Sequence, residues 1–238
     1  MSAAQPDTIV VVTPHGTLVD GIFSLLNSEI VRGETGQIAF MGGSNHSFTL
    51  EFVVDLDLNR AIIENAQALN VPVARVRHDA DWVPMHLDFG SATPLWFMGA
   101  MFVPQPRVVI ACGGPGLGRD DFVRFGLVVR QAAEQLGRRI GLIASADMAH
   151  AHREDSPFGF DPAAAEFDAA IVDAVKAQDL GRLLTFDAEW VGRAKTDSFG
   201  PLLALHGAIA DMPFTGEVLS YEVPTYFGLL CAAYELSV

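Results

Sequence analysis

Apolar runs and amphipathic segments alternate along most of the chain. Thr8 to Thr13, with the sequence TIVVVT, is β-branched, apolar on both faces and too short for a helix, which is typical of a central parallel strand. Residues 48–55 predict a second strand, residues 56–69 a helix, and residues 71–76 a third strand. This order predicts a β-α-β unit in the first third of the chain.

The middle of the chain repeats the alternation. Residues 108–112 and 139–145 are strand-like, and between them residues 121–136 form an amphipathic pattern that ends at Gly137. The glycine-rich stretch 113–118 follows the first of these strands, but its spacing does not fit the GxGxxG pattern of a dinucleotide site. We therefore expect an ordinary turn there.

The last third predicts helices and then two strands. Asp161 is placed to cap a helix that has Pro162 at its first position, and further helix is expected through Asp211. Residues 217–222 and 227–235 predict strands. Strands that alternate with helices predict an α/β fold with a mostly parallel central sheet flanked by helices on both faces. Since no linker interrupts the chain, residues 1–238 are expected to form a single domain.

Composition narrows the classes of function. The formal net charge is -14 and the pI about 4.7, without a basic patch, so neither nucleic acid nor an anionic membrane surface is an expected partner. Cys112 and Cys231 lie singly in apolar runs and are interpreted as buried thiols. The chain shows neither a signal-peptide pattern nor an apolar run long enough to span a membrane, so a cytoplasmic protein is expected.

Three residues with chemical potential stand at predicted strand ends, where open α/β sheets build their sites. They are His15, His150 and Glu222. Two imidazoles and a carboxylate suit ferrous iron, because they leave coordination positions for a bidentate substrate and dioxygen. From these residues alone, ordinary roles in turns and at a solvated strand end are favoured. Asp147 is interpreted either as the residue that orients His150 or as a helix cap.

Five strings of sequence, spread over nearly the whole chain, favour a functional role for these residues over the ordinary one. They are Asp7-Thr-Ile-Val-Val-Val-Thr-Pro-His15-Gly, Ser145-Ala-Asp-Met-Ala-His150, Ser156-Pro-Phe-Gly-Phe-Asp-Pro, Glu166-Phe-Asp and Tyr221-Glu-Val-Pro-Thr-Tyr-Phe-Gly. In order and spacing they resemble the class III extradiol ring-cleavage dioxygenases related to the B subunit of protocatechuate 4,5-dioxygenase, and within them the Memo-like branch.

The resemblance implies a non-haem Fe(II) enzyme that acts on a small catechol-type aromatic substrate and dioxygen. It makes His15 and Glu222 metal ligands and His150 the catalytic acid or base. An imidazole that titrates near neutral pH suits this role, because a catechol must lose protons to chelate a metal.

Two departures from the family pattern leave the function open. An earlier histidine ligand, usual in the family some tens of residues before the segment matched by His15, does not occur in these residues. The family's Asp-His-Gly motif aligns with Asp88-Phe89-Gly90, so phenylalanine replaces an active-site histidine. One interpretation is a substitute ligand within the chain, with His46 the first candidate and His86 the second. The others are a ligand from another subunit of a homo-oligomer or a partner chain, and a metal-poor, non-catalytic subunit or binding module.

Overall fold

The computed structural model describes residues 4–34, 49–80 and 83–237. These residues form ten strands, six α-helices and one 3-10 helix. The strands are β1 (Thr8–Thr13), β2 (Phe23–Leu26), β3 (Ile30–Glu34), β4 (Thr49–Val53), β5 (Val73–Val76), β6 (Met85–His86), β7 (Arg107–Gly113), β8 (Ile140–Ala144), β9 (Phe214–Glu222) and β10 (Leu229–Leu236). The helices are α1 (Leu56–Ala68), α2 (Phe89–Met98), α3 (Arg119–Leu136), α4 (Ala163–Lys176), α5 (Ala188–Ala194) and α6 (Phe199–Ile209), with the 3-10 helix at Leu180–Thr185.

A five-stranded sheet in the order β5-β2-β7-β1-β8 forms the centre of the single α/β domain. All of its strand pairs are parallel except β2 with β7. All six residues of β1 are buried, as its continuous β-branched run predicted. The predicted α/β class with a mostly parallel sheet is therefore confirmed.

Each face of the central sheet is covered, because successive residues of a strand point to opposite faces. Val10 and Val12 of β1 pack with residues of α1, α3 and α6 on one face. Ile9 and Val11 pack on the other face with α2 and a small sheet in the order β4-β3-β6. The predicted covering of both faces is confirmed, although a small sheet shares one of them with a helix.

A third hydrophobic cluster packs the last part of the chain against Phe122 and Val123 of α3. It is formed by α4, α5, α6 and the 3-10 helix, packed against the antiparallel hairpin of β9 and β10. Asp161 accepts a hydrogen bond from the backbone N–H of Ala163, but α4 begins at Ala163 with Pro162 as its N-cap residue, one residue later than predicted. The further helix predicted through Asp211 forms as the 3-10 helix, α5 and α6, and α5 ends where Lys195 adopts a left-handed conformation.

Two local predictions are wrong. The β-α-β unit does not form, because β4 pairs antiparallel with β3 whereas β5 pairs with β2 in the central sheet. Alternating exposed and buried residues in β4 are typical of a half-exposed antiparallel strand. Cys231 is exposed on β10, unlike the buried Cys112, since its apolar run lies in a two-stranded hairpin that buries only one side.

Within the described residues, no helix is long and apolar enough to cross a membrane.

Candidate metal and catalytic site

His15 lies just beyond the carboxyl end of β1, where the strand leaves the central sheet. Its backbone N–H donates a hydrogen bond to the Thr13 hydroxyl, 3.2 Å away. Its Nε2 atom lies 3.4 Å from Oδ2 of Asp197, and its imidazole packs against the ring of Phe89 with centroids 4.5 Å apart. The side chain is 28% exposed, so the imidazole can still reach a ligand from solvent.

The start of α2 forms the wall behind His15. Asp88 caps this helix by accepting hydrogen bonds from the backbone N–H and hydroxyl of Ser91. A Cβ atom on Gly90 would lie 2.7 Å from Oγ1 of Thr13 and 3.1 Å from Cδ2 of His15. Only glycine leaves room there for the imidazole. Phe89 thus stands beside His15 in the position where the family motif has a histidine.

His150 lies in an irregular segment that follows β8 and is nearly buried, with 9% of its side chain exposed. Its Nδ1 is 2.7 Å from the Lys195 carbonyl oxygen, which can only accept, so Nδ1 carries a proton. Its Nε2 lies 3.6 Å from Oδ2 of Asp147 and 4.0 Å from Oδ2 of Asp197. The backbone N–H of Met148 donates to the Gly228 carbonyl oxygen and no helix begins there, so Asp147 is not a helix cap.

The charge state of His150 depends on opposing influences. Burial favours the neutral imidazole, but the contact with Asp147, the Lys195 carbonyl and the negative charge of Asp197 outweigh it. The pKa of His150 is therefore raised above its ordinary value of 6.5. These surroundings favour the protonated imidazole, which is the form that a catalytic acid starts from and that a catalytic base reaches when it accepts a proton.

Asp197 is the functional candidate that the sequence reasoning missed. It lies between α5 and α6, where Thr196 forms an isolated bridge with Ala149, and it brings a carboxylate to both His15 and His150. A short polar segment directly before a helix normally predicts a helix cap. The local sequence therefore provides no reason to assign the Asp197 carboxylate a role in a site. Only the tertiary packing of this turn against the segment of His150 brings the three side chains together.

A buried carboxylate holds the segment of His150 in place. Asp168 of α4 is fully buried and accepts a hydrogen bond of 2.9 Å from the backbone N–H of Ala149. Its other oxygen lies 2.8 Å from both Nε2 of His152 and the hydroxyl of Tyr221. Burial raises the pKa of Asp168 despite these hydrogen bonds. The sequence indicated only an ordinary polar loop around His152, because Asp168 is separated from it by a helix start.

The other ligands predicted from the sequence are not among the described side chains that contact Asp197. Glu222 is exposed at the end of β9, opposite Leu229 of β10, and its side chain makes no hydrogen bond or ion pair with another described residue. His86 lies in β6 and is exposed, and His46 lies outside the described residues. Glu222 and His46 as ligands therefore stay predictions. Across residues 4–34, 49–80 and 83–237, no group of three or more His, Cys, Asp or Glu side chains is arranged to hold a metal ion.

Comparison with known proteins bears on this arrangement. The family model described as the catalytic LigB subunit of aromatic ring-opening dioxygenase matches residues 1–229. The chain belongs to this family. The resemblance drawn from its five sequence strings is thereby confirmed, and with it a fold of the ring-cleavage dioxygenase kind.

One relative and one solved structure extend the comparison. Protein CA_C1420 of Clostridium acetobutylicum is 28% identical to this LigB-family chain over 225 residues. The match covers 93% of the chain and 47% of that protein, so the chain spans about half the length of this relative. The crystal structure of the uncharacterized protein JW3007 from Escherichia coli K12 has a TM-score of 0.59 and 16% identity, and the match covers 97% of this chain and 86% of that one. This second likeness shows a shared fold.

Proposed function

We propose that the protein is a non-haem Fe(II)-dependent extradiol dioxygenase that opens a catechol-type aromatic ring with dioxygen. Residues 1–238 are proposed to form one such catalytic domain. Family membership supports this reaction class. The single observation that carries the proposal is the pair of imidazoles that meet one carboxylate, His15 and His150 at Asp197.

Two donor atoms of this cluster are spaced nearly as two ligands of one ferrous ion would be. Two ligand atoms that each lie about 2 Å from one ion, at right angles, are roughly 3 Å apart. His15 Nε2 and Asp197 Oδ2 are 3.4 Å apart, so a small movement would let both coordinate. We therefore propose His15 and Asp197 as ligands, with His46 as the third. Glu222, the carboxylate ligand expected from the resemblance, stays as the alternative to Asp197.

When bound by His15 and Asp197, the iron would polarise the catechol oxygens as a Lewis acid and would supply the redox chemistry that the reaction with dioxygen needs. His150 then handles the proton. Its Nδ1–H is held by the Lys195 carbonyl, so the lone pair of the neutral ring is on Nε2, which faces the carboxylates. Nε2 accepts the proton that a catechol hydroxyl loses, and Asp147 and Asp197 stabilise the resulting imidazolium.

Anaerobic loading with Fe(II), followed by oxygen and a panel that includes catechol and protocatechuate, tests the proposal. We expect yellow ring-opened products from the wild type. The His150→Ala variant should lose turnover and keep its iron, because His150 is a base and not a ligand. His78→Ala, at an exposed histidine after β5, is the matched control and should behave as the wild type. Loss of iron from His150→Ala would refute the role of His150 as a base.

A second candidate function is a metal-poor, non-catalytic subunit or binding module of the same fold. It is supported by the absence, among the residues described, of any three-residue group that could hold a metal ion. The phenyl ring of Phe89 beside His15 also supports this function, because an apolar ring can line a ligand-binding pocket but cannot transfer a proton. In this case the purified protein would hold little iron after loading and form no ring-opened product.

A further inference from the structure

Two phenylalanines that are about half exposed stand in the loop between His150 and α4. Phe158 is 55% exposed and Phe160 is 54% exposed. A single exposed apolar side chain is ordinary, so exposure alone assigns neither ring a role. The difference between the two phenylalanines lies in what each ring contacts.

The loop fixes Phe158 relative to His150. Ser156 is buried, and its hydroxyl donates a hydrogen bond of 2.7 Å to the backbone carbonyl of His150. The same hydroxyl accepts a hydrogen bond of 3.1 Å from the backbone N–H of Phe158, and the N–H of Gly159 donates to the Ser156 carbonyl. These bonds tie the backbone of Phe158 to that of the proposed base, so the point at which the phenyl ring is attached is fixed relative to His150.

The ring of Phe158 meets His150 edge-on, with centroids 5.6 Å apart. Tyr226 and Phe227 approach the same imidazole at centroid distances of 6.0 Å and 5.7 Å. Phe227 is buried and Tyr226 is half-buried, whereas Phe158 is exposed. Phe160 instead lines a separate surface hollow with residues 152–155. Phe158 is therefore the most exposed of the three aromatic residues that contact the His150 imidazole.

We propose that Phe158 is a specificity-determining residue whose exposed ring packs against the aromatic ring of the substrate at His150. This inference rests on the proposed function, because it takes a planar aromatic compound as the ligand. A ring that brings a hydroxyl to Nε2 of His150 must lie within a few ångströms of that imidazole, whose ring centroid is 5.6 Å from that of Phe158. Offset or edge-to-face packing of two rings then favours a planar aromatic ligand over an aliphatic diol.

The test compares Phe158→Ala with Phe160→Ala, a control of almost equal exposure in the same loop. The probe is 4-nitrocatechol, titrated anaerobically by difference absorbance into the protein as purified and after Fe(II) loading. Phe158→Ala should bind the probe roughly two- to tenfold more weakly than the wild type, from the loss of one aromatic pair. Phe160→Ala should match the wild type, and Phe158→Trp should restore most of the affinity.

The outcomes separate this inference from the proposed function. Affinity that depends on Phe158 without ring cleavage by the wild type supports the role of Phe158 and refutes the dioxygenase. Ring cleavage with equal affinities of Phe158→Ala and Phe160→Ala refutes the role of Phe158 and leaves the dioxygenase standing. A wild type that binds no 4-nitrocatechol in either form refutes the inference. Thermal unfolding of each variant shows whether the fold is intact.

Discussion

Replacing Asp168 by alanine tests the hydrogen bonds that hold the segment of His150. The substitution removes the acceptor of three donors, namely the backbone N–H of Ala149, the ring of His152 and the hydroxyl of Tyr221. Ala149 is fully buried and the side chain of His152 is 8% exposed, whereas Tyr221 is partly exposed and can turn to water. The cost therefore comes mainly from the first two donors.

The expected loss is large for a single substitution. A buried donor without an acceptor costs about 1–3 kcal/mol, so two of them lower the free energy of unfolding by about 2–6 kcal/mol. A domain has only about 5–15 kcal/mol of stability in all, so Asp168→Ala should unfold at a much lower denaturant concentration. Tyr221→Phe removes one partly exposed donor and should cost about 1 kcal/mol.

Urea unfolding followed by far-UV circular dichroism measures these losses. Asp173→Ala is the matched control, because Asp173 is an exposed aspartate on the same helix, α4. It should change the free energy of unfolding by less than about 0.5 kcal/mol. If Asp168→Ala costs no more than Asp173→Ala, the carboxylate does not hold the segment and the reasoning fails.

The pH dependence of stability has a definite sign at Asp168. Burial raises the pKa of Asp168 above its ordinary 3.8, against the hydrogen bonds from Ala149, Tyr221 and His152. The folded state therefore binds the proton more tightly than the unfolded chain does. The stabilisation that comes from this tighter proton binding is fully present below about pH 3.8, and it is lost as the pH rises through the pKa of Asp168 in the folded state.

The Asp168→Asn variant isolates this contribution because an amide does not ionise. Its free energy of unfolding, taken relative to the wild type, should increase as the pH rises above about 4 and then become constant. Urea unfolding of both proteins at several pH values between about 4 and 7 measures the difference. A relative stability that decreases over this range would contradict the raised pKa.

Two further substitutions test the walls of the site. Gly90→Ala places a methyl group against Cδ2 of His15 and should cost about 1–3 kcal/mol of stability and weaken Fe(II) binding, both measured on the purified variant. Unchanged metal affinity would show that Gly90 does not set the position of His15. Ser156→Ala removes both bonds of its hydroxyl, to His150 and Phe158, and should cost about 1 kcal/mol and weaken 4-nitrocatechol binding as Phe158→Ala does. Unaltered binding by Ser156→Ala would mean that this hydroxyl does not position the ring.

The parts of the fold that could be predicted are those in which local pattern and tertiary role agree. Strand β1 is apolar on both faces and is central, and α3 has an amphipathic pattern that ends at Gly137. The pairing of β4 could not be predicted in the same way. Its residues Thr49-Leu-Glu-Phe alternate between polar and apolar, which favours an antiparallel strand, but nothing in the local sequence identifies β3 as its partner.

In the candidate site, too, local sequence predicts some residues, whereas others are brought in by tertiary packing. His15 and His150 stand in strings that resemble a family, so their importance could be predicted from local sequence. Asp197 could not, because its two contacts depend on how the turn before α6 packs against distant segments. Phe158 lies within a predicted family string, but its exposure beside His150 is a property of the folded loop. The expected cytoplasmic location stays a prediction.

Fe(II) binding by the wild type, Asp197→Asn and Glu222→Gln tests the central claim most directly. Each protein is loaded anaerobically, freed of loose metal by gel filtration and assayed for iron per chain. We expect nearly one iron per wild-type chain, a large loss in Asp197→Asn, and little change in Glu222→Gln, because among the described residues the carboxylate within 4 Å of the His15 imidazole is that of Asp197. Iron retained by Asp197→Asn and lost from Glu222→Gln would contradict the proposed site, and iron absent from the wild type would contradict the dioxygenase itself.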